Sequence, residues 1–282
     1  MGLIDFLKDF STIDWGNLQA AGVLFGAAAT ALLTVIPKNL KKLAMRRVLM
    51  LKTDKTSCAV SLPVYKRDVF GSRRELLFAR ETLPTFALNT MLTSCKVEPV
   101  LITDAEDSAD KLPPMDEIHI GGPISNKYTN RYIKEYLPCL QMQTTESGLE
   151  NARRESELSG WNMDFGFVRT VENEAEEGFL LDGEQYGYRH GQKGHAFVIR
   201  IKIPADNKQK TVHLLFGTST NATAAAVQYF VKSCPKAPRA LGTGNYIGVF
   251  EVNGDGKRVG RVKWVENPHE LITESSVPVP RS

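Results

Sequence analysis

The chain has 282 residues, 42% of them hydrophobic and 24% charged, a composition that fits a folded globular protein with room for one substantial core or two small ones. A net charge of +3 is too small to argue for nucleic acid as a partner, and none is expected. The four cysteines, Cys58, Cys95, Cys139 and Cys234, are widely spaced, with no CxxC pair and no neighbouring histidine, which argues against zinc and for buried free thiols in a reducing compartment; no metal site is expected.

The opening stretch places Leu3, Phe6, Leu7 and Phe10 at helical spacing, so residues 1–14 are expected to form a short amphipathic element lying in a membrane interface. From Leu18 to Ile36 there is no charge, and nineteen helical residues span about 28 Å, close to the thickness of a bilayer's hydrocarbon core. Trp15 precedes the run and Pro37 closes it, so a transmembrane helix is expected over 15–37. Lys38, Lys41, Lys42, Arg46 and Arg47 follow, against Asp5, Asp9 and Asp14 on the other side. The excess of basic residues puts the N-terminus outside and the remainder in the cytosol, as a single-pass membrane protein. A buried core helix is the alternative reading, because Ala and Gly make the run only moderately apolar. Within it Gly22 and Gly26 form GxxxG, a face on which two spans can approach closely, so self-association is expected there.

After a basic juxtamembrane segment, 38–56, an α/β domain is expected over 57–266, with a loose Pro- and Ser-rich tail over 267–282. Cys58 to Tyr65 predicts a buried strand ended by Pro63, and the basic stretch that follows it predicts a loop. Glu75 to Cys95 predicts a helix, kinked or divided at Pro84. Strands are expected at Pro99–Thr103 and Glu117–Ile120, the second turned by GGP into a helix that opens with Ser125 and Asn126. Residues 140 to 178 are polar and acidic, which predicts an irregular excursion over the surface. Three apolar runs then predict strands, the last being Thr211–Phe216; a Gly-led turn and the helix TNATAAAVQYFVKS follow. The closing segment predicts a hairpin with NGDG at its turn. Strand–helix alternation of this kind predicts a Rossmann-like, mainly parallel sheet with helices on both faces and an antiparallel C-terminal hairpin.

Two segments share one pattern. After Ile120 come Gly121, Gly122, Pro123, Ser125 and Asn126; after Phe216 come Gly217, Thr218, Ser219 and Asn221. Each sets glycine at the carboxyl end of a strand, where crevices form in open α/β sheets, and each aims helix N-terminal amides toward that point. Both turns are therefore candidate ligand-binding elements for a phosphate, a carboxylate or a sugar hydroxyl. Neither is a Walker A loop or GxGxxG. For a hydrolytic role a carboxylate is required, and Glu81, flanked by apolar residues, is the first candidate, with Asp104 after a strand end the second. His119 and His213, inside apolar strands, read as packed, hydrogen-bonded histidines; His190 and His195 read as part of a mobile Gly-rich loop. Tyr128, Tyr132 and Tyr136 read as a helix face packed on the sheet.

The GGPxSN turn resembles that of membrane-anchored prokaryotic Rossmann-like domains, in which GGPxxN follows one strand and a Gly- and Thr-rich turn follows a later one. Gly121, Gly122, Pro123 and Asn126 match, as do Gly217 and Thr218. The element order is also similar to nucleotide-handling Rossmannoids such as TIR and nucleoside deoxyribosyltransferase-like domains. That resemblance implies a nucleotide-derived ligand and, in some members, cleavage of a glycosidic bond. The resulting expectation is a membrane-bound sensor or effector binding a nucleotide or similar anionic small molecule, with no resident cofactor. A membrane-anchored nucleotide hydrolase or transferase and a protein-recruiting adaptor are the alternatives.

Overall fold

The computed structural model describes residues 57–63, 65–69, 72–76, 79–102, 115–159, 163–187, 193–205, 208–233, 244–254 and 258–266, with backbone alone for 65–69, 72–76, 79–83, 159, 204–205, 208, 233 and 258–266. All belong to the compact unit Ala44–Ser282. The expected span and its flanks, the loop after Ile102 and the C-terminal tail lie outside the described residues. Among those described, no helix is long and apolar enough to cross a membrane.

The domain is mixed α/β. In chain order its elements are β1 (Ser57–Ser61), β2 (Tyr65–Val69), β3 (Ser72–Leu76), α1 (Ala79–Ser94), β4 (Glu98–Ile102), β5 (Asp116–Ile120), α2 (Lys127–Tyr136), β6 (Leu140–Thr144), α3 (Glu146–Ser159), β7 (Val168–Thr170), β8 (Gly178–Leu181), β9 (Glu184–Gly187), β10 (Lys193–Ala205), β11 (Lys208–Gly217), α4 (Thr220–Ser233), β12 (Tyr246–Asn253) and β13 (Arg258–Glu266). The main sheet runs β13-β12-β10-β11-β5-β1-β4. Strands β11, β5, β1 and β4 pair in parallel, whereas β10 pairs antiparallel with both β11 and β12, and β12 antiparallel with β13. The antiparallel part therefore reaches further than the closing hairpin: it takes in β10 as well.

Period-two alternation sends successive side chains of the central strands to opposite faces. On one face Cys58, Val60, Ile118, Ile120 and Leu215 pack under α1 (Leu88, Met91, Leu92) and α4 (Ala222, Ala226, Val227, Phe230). The buried positions of α1 recur at the three- and four-residue spacing of a helix, and Pro84 lies within it without dividing it into two. On the other face Val212, Leu214, Phe216, Phe197 and Ile199 pack under α2 (Tyr128, Tyr132, Ile133) and strands β6, β8 and β9 (Leu140, Phe179, Leu181, Tyr186). The tyrosine face of α2 is thus core, as its spacing predicts; Tyr136 packs against it half-buried.

Two expectations are corrected here. The basic stretch expected as a loop is a hairpin, β2 with β3, whose last pair Val69↔Ser72 leaves two residues between the strands, the commonest length for a tight hairpin. Residues 140 to 178 are a folded layer: β7-β6-β8-β9 form a four-stranded sheet, with α3 between β6 and β7. Its helix hides in the sequence because its buried stripe is only three residues, one of them polar. Leu149, Ala152 and Ser156 are buried, and the positions between them are mostly exposed and charged.

That layer is held to the main sheet by an aromatic group. Phe197 stacks on Phe216 with centroids 5.0 Å apart, and Phe179 meets their rings obliquely at 5.1 and 5.3 Å. Phe179→Ala is expected to lower stability by about 3–5 kcal/mol, read as a shift in urea midpoint with little change in slope.

Candidate functional site

Adjacent parallel strands β5 and β11 end side by side, with Val212↔Glu117 and Leu215↔Ile120 in register. The chain leaves β5 to form α2 on one face and leaves β11 to form α4 on the other, so the sheet has a topological switch point between them. Crevices open at such points because the two connections part. A cavity of about 300 Å³ lies there. Its walls include Gly122, Pro123 and Ser125 from the first turn and Gly217, Thr218 and Ser219 from the second, so both glycine turns face one space.

Backbone geometry fixes both turns. Gly121 has φ +108, its N–H donates to Leu215 O at 3.1 Å, and a Cβ there would lie 2.9 Å from Pro63. A Cβ on Gly217 would come within 2.4 Å of Ala222 Cβ and 2.6 Å of its carbonyl carbon, because α4 starts close against the strand. Gly122 is different: a Cβ would meet nothing within 4 Å. Thr218 is held from β10, accepting from His195 N at 3.0 Å through its hydroxyl and donating its own N–H to His195 O at 2.9 Å. His195 is therefore a strand residue, and its Nδ1–H donates to Gly187 O, in place of the mobile loop expected; His190 lies outside the described residues.

Asn126 does not line the cavity. It caps α2, its Oδ1 accepting from Tyr128 N at 3.0 Å and Thr129 N at 3.2 Å, while its Nδ2 donates to Ile120 O and Ser61 Oγ, both at 2.8 Å. Asn221 also turns away, donating to Gly254 O at 2.8 Å and so tying α4 to the end of β12. Glu81 lies in α1 with its side chain outside the described residues, and Asp104 lies outside them altogether.

Beneath the first turn runs a buried polar chain that no motif announced. Ser61 accepts from Asn126 and donates to His119 Nδ1 at 2.7 Å; His119 Nε2–H donates to Glu117 Oε2 at 2.8 Å. Glu117 also accepts from Tyr132 Oη at 2.5 Å and from Lys210 Nζ at 2.8 Å. Burial pushes the His119 pKa down, more than the adjacent carboxylate raises it, so the imidazole is neutral and the tautomer follows from the donors around it. Burial alone would push the Glu117 carboxyl up, but His119 and Lys210 outweigh it and hold the group well below the usual carboxylate range. Burial and the neighbouring Glu117 push the Tyr132 hydroxyl up, so it remains a donor. His119 stacks on Tyr128 with centroids 5.2 Å apart, and His213 packs on Phe230 at 5.0 Å; both histidines are core residues.

The third wall of the cavity comes from the small layer: Met142, Gln143, Thr144, Glu177, Gly178 and Phe179. Apart from Phe179, which opens an expected strand, these were not foreseen, since they lie in the stretch expected as a surface excursion. Glu177 is the one charged side chain among the lining residues, and its Oε1 accepts from Thr144 Oγ1 at 2.9 Å, Thr145 N at 3.1 Å and Thr145 Oγ1 at 3.0 Å. Among the described residues no three His, Cys, Asp or Glu side chains cluster so as to hold a metal ion. No protein-family model matches the chain, and no curated protein matches it.

Two measurements test this geometry. Gly217→Ala is expected to destabilise by about 2–3 kcal/mol through overpacking against α4, while Gly122→Ala stays within about 0.5 kcal/mol of the parent, both read by thermal melts. Glu117→Gln removes the charge that Lys210 and His119 answer and is expected to cost about 3 kcal/mol at neutral pH. Because the folded state holds Glu117 below its ordinary value of 4.5, that contribution is complete above this pH and declines as the pH falls through and below it. The gap between parent and variant should therefore narrow in acid, as read by urea unfolding across a pH series.

Proposed function

We propose that this chain is a membrane-anchored, cytosolic sensor or effector whose α/β domain binds a nucleotide or similar anionic small molecule in the crevice between β5 and β11. One observation carries the reading: two glycine turns on neighbouring parallel strands, with their helices leaving to opposite faces, line a single cavity. Helix N-termini at both turns favour negative charge, and Ser125, Thr218 and Ser219 add hydroxyls that both donate and accept. The cavity's mixed polar and apolar wall, with Met142 and Phe179 opposite the turns, suits a ligand with one polar and one flat apolar end. The resemblance of the GGPxSN turn to membrane-anchored Rossmann-like domains points the same way, and the uncharged run Leu18–Ile36 supports the tether. Self-association on the Gly22 and Gly26 face of that span supplies the readout in this reading.

A second reading, a membrane-anchored hydrolase or glycosidic-bond-cleaving transferase, is favoured by the carboxylate of Glu177 in the cavity wall. The full-length protein, purified in detergent and denatured, should release a small molecule identifiable by mass spectrometry. Gly122→Asp places a carboxylate in open space within the cavity, and is expected to abolish retention of that molecule while leaving the circular dichroism and melting temperature unchanged. Absence of any retained molecule, together with no shift in melting temperature on adding nucleotides, overturns the binding reading. Turnover of the molecule that is lost in Glu177→Gln moves the assignment to the enzyme.

A further inference from the structure

Resting on the crevice being a nucleotide-type site, we infer that its ligand is a ribonucleoside carrying at most one phosphate, with the ribose diol held by Glu177. Charge carries the first half. Among the described residues the cavity lining holds Glu177 and no lysine, arginine or histidine. Di- and triphosphates need cationic side chains or a metal to answer their charge. Here an additional phosphate would face a carboxylate with nothing of opposite sign among the described residues of the wall. Two helix N-termini with serine and threonine hydroxyls suffice for one phosphate or for a free 5′-hydroxyl.

The second half rests on how Glu177 is built. A carboxylate only accepts hydrogen bonds. Its Oε1 is taken by three donors, from Thr144 and Thr145, which fix the group in place. Its Oε2 has no partner among the described residues. Room for this arrangement is made by Gly148, where a Cβ would lie 2.1 Å from Thr144 Oγ1 and 3.1 Å from Glu177 Oε1. The chain then turns at once through Gly178, with φ +145 and the Tyr186 carbonyl 2.3 Å from where a Cβ would be, a conformation that only glycine takes without strain. A pinned acceptor in a mixed polar and apolar wall selects a donor, and a vicinal diol offers two. The cavity of about 300 Å³ stands at the bottom of the range for small-molecule sites, a size that suits a single nucleoside unit.

The test uses full-length protein in detergent and titration calorimetry with the four ribonucleosides, their 5′-monophosphates, the 2′-deoxy counterparts of both sets and the four triphosphates, all without metal. At least one ribonucleoside or its 5′-monophosphate should bind, with its 2′-deoxy counterpart and the corresponding triphosphate each at least tenfold weaker. Glu177→Gln should weaken that ligand at least tenfold and leave its 2′-deoxy counterpart within twofold. Equal or tighter binding of the triphosphate, or equal binding of the 2′-deoxy counterpart, overturns the inference and leaves the nucleotide reading standing. Failure of every compound to bind removes both. Should Glu177→Gln not fold, the comparison among ligands on the unaltered protein decides between the same outcomes.

Discussion

The parallel pairing of β5 with β11 is the constraint from which the rest of the site follows. Parallel neighbours end at the same edge, so whatever follows each strand must begin within a few ångströms of the other. Since one connection turns to each face, neither can cover the gap between them. The crevice is thus a product of topology before any side chain is considered. The side chains then decide what the gap accepts.

What keeps that pairing in place on the α2 face is polar. Glu117 and His119 occupy alternate positions of a fully buried strand, where apolar residues would be the cheaper filling. They are tolerated because each donor finds an acceptor in an unbroken order: Asn126 to Ser61, Ser61 to His119, His119 to Glu117, with Tyr132 and Lys210 closing the far end. One end of the chain is the cap of α2 and the other reaches β11. Strand β5, its neighbours and the helix that leaves it are joined by one hydrogen-bonded set, and buried sets of this kind specify one arrangement over others.

Most of the main sheet was legible from the sequence. Apolar runs marked β1, β4, β5, β10, β11 and β12, and glycine followed by capping residues marked where α2 and α4 begin. The pairing of the two turns was not legible, because strand order in a parallel sheet depends on long-range packing and leaves no local trace. The small layer was missed for another reason. Strand β6 carries LQMQT and α3 carries ESGLENARRESELS, so their apolar faces are one or two residues wide. The face of β6 is sufficient because Phe197 and Phe216 of the main sheet belong to the core that Leu140 and Met142 join. Glu177 went unnoticed with its surroundings. The Glu117 chain left a signal that was there to be used: two ionisable residues at period two within DEIHI, both directed to the face where α2 presents its tyrosines.

The two sides of the crevice differ in how much freedom they leave to sequence. Gly121 is limited by its positive φ and the Pro63 ring, and Gly217 by the start of α4 at Ala222 and Thr223, so almost any replacement there disturbs the fold itself. The opposite side presents Met142, Gln143, Glu177 and Phe179 as side chains on a separate sheet. Divergence among descendants of this chain should therefore be uneven. The turn side would be inherited nearly unchanged, while the small layer would drift and retune which molecule fits, as a lock keeps its case while its pins are recut.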